Sequence, residues 1–130
     1  MITLDDLTLP DELVWVDETD WSPVAQSESR LLSGSLEIQC GTKLAGRPLT
    51  LSREQGEVWA PRQTVLALMA LAAEPAKEMT LTLHDGRVFR VVFRQSEQAI
   101  EARQVLEYHN PLPGTWYQIK SLKFLILEAL

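Results

Sequence analysis

The feature that most constrains this chain is one very apolar helical segment, residues 61–74, set among stretches that alternate like strands. Pro61 suits the first turn of a helix, where its missing N–H costs nothing. Pro75 ends the segment by pushing Glu74 out of the α region. Val65, Leu68, Met69 and Ala72 recur at the spacing of a buried helical face. Leu66, Ala67, Ala70, Leu71 and Ala73 fill much of the remaining circumference. A helix apolar almost all round is buried on more than one side. The first set is therefore expected to face the domain's own sheet. Leu66, Ala70, Leu71 and Ala73 are left for a second surface, either another part of this chain or a neighbouring subunit.

Around that helix the pattern is β. Residues 24–40 read as two strands with a bend at Ser33-Gly34, and Leu36, Ile38 and Cys40 alternate with polar neighbours as in a half-buried strand. Leu49 and Leu51 continue as a short strand, with Pro48 near its start. Met79–Phe93 reads as a hairpin. A two-residue Asp85-Gly86 turn would put Phe89, Val91 and Phe93 on the face of Thr80 and Thr82. A three-residue loop, His84-Asp85-Gly86 with a left-handed Gly86, opposes Leu81 to Phe89 and Met79 to Val91. All the large apolar groups then share one face, so the three-residue loop is preferred. Residues 100–106 form a further strand, and residues 108–114 a turn rich in Asn, Pro and Gly. Tyr117–Glu128 is a last long strand whose apolar phase slips, which predicts a bulge near Lys120-Ser121. Leu125 and Leu127 make its end apolar on both faces.

Residues 1–23 carry seven acidic side chains together with Trp15 and Trp21. They read as an extended acidic arm that docks its rings on the body or on a neighbour. The fold class expected is mainly β: an antiparallel β-sandwich or split barrel with one flanking α-helix, in a single domain over residues 1–130.

Composition narrows the function classes. A chain of 130 residues can bury a core without disulfide or metal staples. Its net charge of −6 lacks the basic stripe of a nucleic-acid binder, so no sequence-specific nucleic-acid binding is expected. A negative wall would instead let nucleic acid pass without sticking. The N-terminus lacks the basic and apolar regions of a secretory signal. The longest apolar run, Val65–Ala73, is far short of the ~20 residues of a membrane span, so no membrane insertion is expected. With one cysteine, no intrachain disulfide can form.

Little in the sequence carries chemistry. His84 lies in a hairpin turn and His109 beside Asn110-Pro111, neither at a metal or triad spacing. Cys40 falls on the apolar phase of its strand, where a buried and inert thiol is expected. Gly41 and Gly46 are not followed by the Gly-Lys-Ser/Thr of a phosphate loop, and the acids of residues 5–20 lack calcium-loop spacing. No catalytic residue, metal site or cofactor is expected. Four tryptophans, Trp15, Trp21, Trp59 and Trp116, are an enrichment for this length. They serve either as core or as anchors of a protein interface.

A set of stretches in fixed order carries a resemblance. They are Asp11–Trp15, Trp21–Ser27, Ala45–Leu51, Trp59 with Arg62, Thr80–Arg90 and the closing Tyr117–Leu127 strand. Together they resemble the distal tail and baseplate ring proteins of long-tailed phages and prophages. That resemblance implies a β-sandwich or split barrel with one helix, assembly as a hexameric ring on the tail tube, and contacts with tube and hub proteins. It places the protein in the virion tail after synthesis in the bacterial host cytoplasm. The chain lacks the large second domain many such proteins carry, which favours a plain ring or adaptor over receptor binding. The surfaces expected to form interfaces are Trp15, Trp21, Trp59, Leu66, Ala70, Leu71 and Trp116. The alternatives are a monomeric protein-binding module, such as a tail-assembly chaperone or host-protein inhibitor, and a small enzyme using His109 or Cys40.

Overall fold

The closing strand organises the molecule. The computed structural model describes residues 1–43 and 45–130. In chain order the strands are β1 (Ile2–Leu4), β2 (Leu7–Leu9), β3 (Val14–Trp15), β4 (Val24–Arg30), β5 (Leu36–Thr42), β6 (Arg47–Ser52) and β7 (Trp59–Pro61). Helix α1 (Arg62–Ala72) follows, then β8 (Met79–Thr82), β9 (Val88–Phe93), β10 (Ile100–Gln104) and β11 (Trp116–Ala129). The fold is mainly β with antiparallel sheets, the larger curled into a half-barrel, and one helix among the described residues.

The larger sheet runs β2-β1-β8-β9-β11-β6-β3, with β7 and β10 also paired to β11. The registers show how one 14-residue strand serves four neighbours. Residues 121–126 pair with β6 along one edge while residues 124–129 pair with β9 along the other. Nearer its start, β11 pairs with β7 on the β6 edge and with β10 on the β9 edge. Between the two halves the register steps from Ile119 to Ser121 against Ala102 and Glu101, which leaves Lys120 as a bulge. The bulge lets Ile119 and Leu122 both turn inward although their spacing is odd. This is the slip expected near Lys120-Ser121.

The β8–β9 hairpin has the expected three-residue loop. Met79 opposes Val91, Leu81 opposes Phe89, and Gly86 has φ +85°. Their buried face joins Leu49, Leu51, Leu122 and Phe124 in one core, where the Phe93 and Phe124 rings stack at 4.9 Å.

The expectation of an extended N-terminal arm is corrected. β1 and β2 form a hairpin with Leu4 opposite Leu7, β1 pairs with β8, and β3 pairs with β6. Ile2, Leu4, Leu9 and Leu13 are core residues. The acids sit in the turns: Asp5 takes φ 51° and accepts the backbone N–H of Thr80, while Asp17 accepts both the N–H and the hydroxyl of Thr50. The period-2 alternation of Ile2, Leu4, Leu7 and Leu9 builds the strands, and the acidic residues only punctuate them.

Helix α1 packs its inner side on this core through Val65 and Leu68, with Leu71 and Ala72 partly covered. Met69, expected inward, is exposed, and Leu71, expected outward, takes its place. The helix lies across the sheet rolled by less than one position from the orientation its strongest stripe implied. Pro61 is its N-cap residue rather than its first turn. The free N–H groups of Arg62 and Gln63 donate to the carbonyls of Thr115 at 2.8 Å and Pro113 at 3.1 Å. The 111–115 loop thereby does the work of a side-chain cap.

Candidate interaction surfaces

The first surface is a hairpin that stands away from the body. β4 and β5 pair only with each other, as a separate two-stranded sheet, over seven residues each from Val24↔Thr42 to Arg30↔Leu36. Every residue of both strands is exposed. The expected half-buried face of Leu36, Ile38 and Cys40 is therefore corrected: the alternation is real, but nothing described covers it. That face also carries Val24 and, directly across from the apolar residues, Gln26, Glu28, Arg30 and Thr42, while the reverse face holds Ala25, Ser27, Ser29, Glu37, Gln39 and Gly41. Cys40, expected buried, lies open on it. The sequence signal that was missed is the composition of β4. Gln26-Ser-Glu-Ser-Arg30 gives the strand little to bury in a core.

The hairpin base is anchored. Trp21 is half-buried, with the Arg47 guanidinium 5.6 Å and the Lys43 ammonium 5.2 Å from its ring centre. Arg47 also lies 4.5 Å over Trp15 and donates to the Glu18 carbonyl at 2.6 Å. Arg87 closes the cluster by pairing with Glu18 at 2.7 Å and Asp85 at 2.6 Å. Its guanidinium is held above its ordinary value by the Glu18 hydrogen bond, against a smaller cost of burial. Trp15 is not an interface residue of the folded chain. It is buried, with its ring edge-on to Phe89 at 5.8 Å.

The second surface is an apolar groove of about 590 Å³ lined by Trp59, Leu106, Tyr108, Leu112 and Trp116 among others. It lies at the start of β11. The two tryptophan rings sit 6.4 Å apart, tilted by 42°, and both are about half exposed. The groove is preformed. Trp59 Nε1 donates to Glu57, Val105 N–H to the Trp116 carbonyl, and Leu112 N–H to the Thr115 hydroxyl. Arg62 Nη1 donates to the Pro111 carbonyl at 3.1 Å, tying the same loop to α1. Sequence reading named Trp59 and Trp116 but missed Leu106, Tyr108 and Leu112, which lie in a segment read only as a strand end and a turn.

The third surface is the outer side of α1, where Leu66, Met69, Ala70 and Ala73 are exposed. Leu66 and Ala70 thus lie where expected, whereas Leu71 packs on the core.

The residues with catalytic chemistry are dispersed. His84 is exposed in the β8–β9 loop, 3.3 Å from the N-terminal amine, His109 is exposed in the 105–115 loop, and Cys40 is on the free hairpin. Among the described residues, no group of three or more His, Cys, Asp or Glu is arranged to hold a metal ion. No helix among them is long and apolar enough to cross a membrane. No family model matches this chain, and no curated protein or solved structure matches it either.

Proposed function

We propose that this protein is a structural component of a phage tail that works by assembling into a homo-oligomeric ring, as a distal tail, baseplate or tube-adaptor ring. The observation that carries the reading is the uncovered β4–β5 hairpin. An isolated two-stranded hairpin is at best marginally stable in water. Ordering its backbone costs about 1–2 kcal/mol per residue, and burial within its own chain offsets almost none of that. Both outer edges are open, so each hairpin can pair one edge with the copy before it and one with the copy after. Such a contact is head-to-tail and closes into a ring when the rotation allows. The face of Val24, Leu36, Ile38 and Cys40, which also holds Gln26, Glu28 and Arg30, would turn towards the ring's own mass. The polar face of Ser27, Ser29 and Gln39 would line the opening. The exposed α1 face of Leu66, Met69, Ala70 and Ala73 gives neighbours a second contact, and the net charge of −6 suits a passage for DNA.

The resemblance in the order of sequence stretches supplies the tail context, and with it the expectation of six subunits. Native mass spectrometry on the full chain, with negative-stain imaging, tests the reading. The expected result is a closed ring of one defined mass, lost in Ile38→Lys without loss of the fold. A strict monomer at high concentration that captures one stoichiometric non-self protein through Trp59 and Trp116 would establish the second reading, a monomeric binding module. The observation favouring that alternative is the preformed tryptophan groove.

A further inference from the structure

We infer that the Leu31-Leu32 tip of the β4–β5 hairpin is a knob that seats in the Trp59–Trp116 groove of a second copy of this chain, joining one ring to the next. The inference rests on the ring reading and adds a contact along its axis.

The tip is built in the wrong chemistry for a solvated turn. Turns of this kind favour Gly, Asn, Asp, Ser and Pro. Here the turn is Leu31-Leu32-Ser33-Gly34, closed by Gly34 N–H to the Leu31 carbonyl at 2.9 Å and Leu31 N–H to the Ser35 carbonyl at 2.8 Å. Gly34 takes φ +86°, which the turn requires, and Arg30 donates to its carbonyl. The result is an ordered loop that holds Leu32 at 110% relative exposure, with Leu31 half exposed beside it. A turn whose backbone is already bonded loses little main-chain freedom when it docks.

The groove is matched to such a knob and lies at the start of β11, away from the hairpin's base. Its volume of about 590 Å³ is that of a site able to enclose a small apolar ligand. Gly46 N–H donates to the Ile126 carbonyl, and Arg47 pairs with the same residue, so the hairpin base sits at the far end of β11. Trp116 begins that strand. Ten residues of strand separate the two, roughly 30 Å. The tip stands ~20 Å from its base, given seven-residue strands, and Leu32 stays uncovered within its own chain. An exposed apolar knob and an apolar hole at separate sites on one chain make a head-to-tail contact between identical copies.

Area sets how the contact must work. Three half-exposed rings, Trp59, Tyr108 and Trp116, offer roughly 100 Å² each. With Leu106 and Leu112 the groove still falls short of the ~800 Å² per partner of a standard stable interface. One knob in one hole is therefore weak, and the contact holds when a whole ring of them engages at once.

A charge swap tests the docking. Leu32→Lys alone and Leu112→Glu alone, each folded with the wild-type melting temperature, should leave the mass of a single ring unchanged and abolish stacked rings in sedimentation and electron microscopy. The double variant, which restores a complementary pair across the contact, should regain stacks. A double variant that stays unstacked, or a Leu112→Glu variant that stacks like wild type, overturns the inference. Wild-type rings that never stack overturn it while leaving the ring reading intact. Open head-to-tail chains without closed rings, lost in either single variant, uphold the docking and overturn the ring. A wild type monomeric at every concentration overturns both, whereas loss of a non-self partner in Leu112→Glu without any effect on self-association overturns the docking alone.

Discussion

At the residue scale, two separable effects lie in the β8–β9 loop and a third in the core beside it. Gly86 has φ +85° and open space around a would-be Cβ, so Gly86→Ala meets a conformational cost and no clash. The expected loss is about 1–2 kcal/mol in urea unfolding. Phe124→Ala removes a fully buried ring stacked on Phe93 and should cost about 3–5 kcal/mol by the same measurement. Asp85 is held below its ordinary value of 3.8, first by the backbone N–H of Arg87, against a cost of desolvation, and then by the Arg87 side chain. Its folded value being the lower one, the stabilisation is present above the unfolded value and lost as pH falls through the folded value. Asp85→Asn should therefore melt below wild type at pH 7, and the gap should close in acid below the carboxylate range. A gap that stays constant with pH would show that the charge is irrelevant. The tryptophans show where residue-level reading stops. Trp15 became core and Trp59 and Trp116 a surface groove, because the same large ring serves both uses and only the curl of the sheet decides which.

At the element scale, what was legible in the sequence was local. The β8–β9 register followed from loop length and side-chain phase alone, and the Lys120 bulge from the slip in the apolar phase of β11. The β1–β2 hairpin was hidden because its turn acids read as part of one extended acidic arm. The hairpin β4–β5 was legible as two strands but not as a projection, since alternation reports that one face is drier and not what covers it. Helix α1 was legible in extent to within two residues, yet its roll was set by the sheet beneath it, which exchanged Met69 for Leu71. The body's core owes nothing to β4–β5, so replacing residues 24–42 by a short Gly/Ser link should leave the melting temperature within about 2 °C of wild type while eliminating self-assembly. In the intact chain, hydrogen exchange should find the hairpin amides unprotected in dilute monomer and protected in the assembly, in contrast to the amides of β9 and β11. Equal protection in both states would mean that the hairpin is not the assembling element.

At the scale of the whole molecule, the free surfaces and the net charge make opposite demands. Each copy carries a charge of −6, so bringing copies together accumulates like charge, while the surfaces proposed to join them are largely apolar: Val24, Leu36, Ile38 and Cys40 on the hairpin, the leucine tip, the tryptophan groove and the outer side of α1. Repulsion between copies reaches about 30 Å at 0.01 M salt and about 8 Å at 0.15 M. Apolar burial is not weakened by that screening and is strengthened by sulfate. Self-association should therefore be weakest in low salt, rise between 0.01 and 0.15 M sodium chloride, and rise again when sulfate replaces chloride at equal ionic strength. Sedimentation velocity at fixed protein concentration reads all three steps. The opposite trend, assembly that dissolves as salt rises, would mean that ion pairs rather than the uncovered apolar faces hold the copies together. Arg30, Glu28 and Glu37 on the hairpin would then be the residues to reverse in charge, and Ile38→Lys would no longer be the decisive variant.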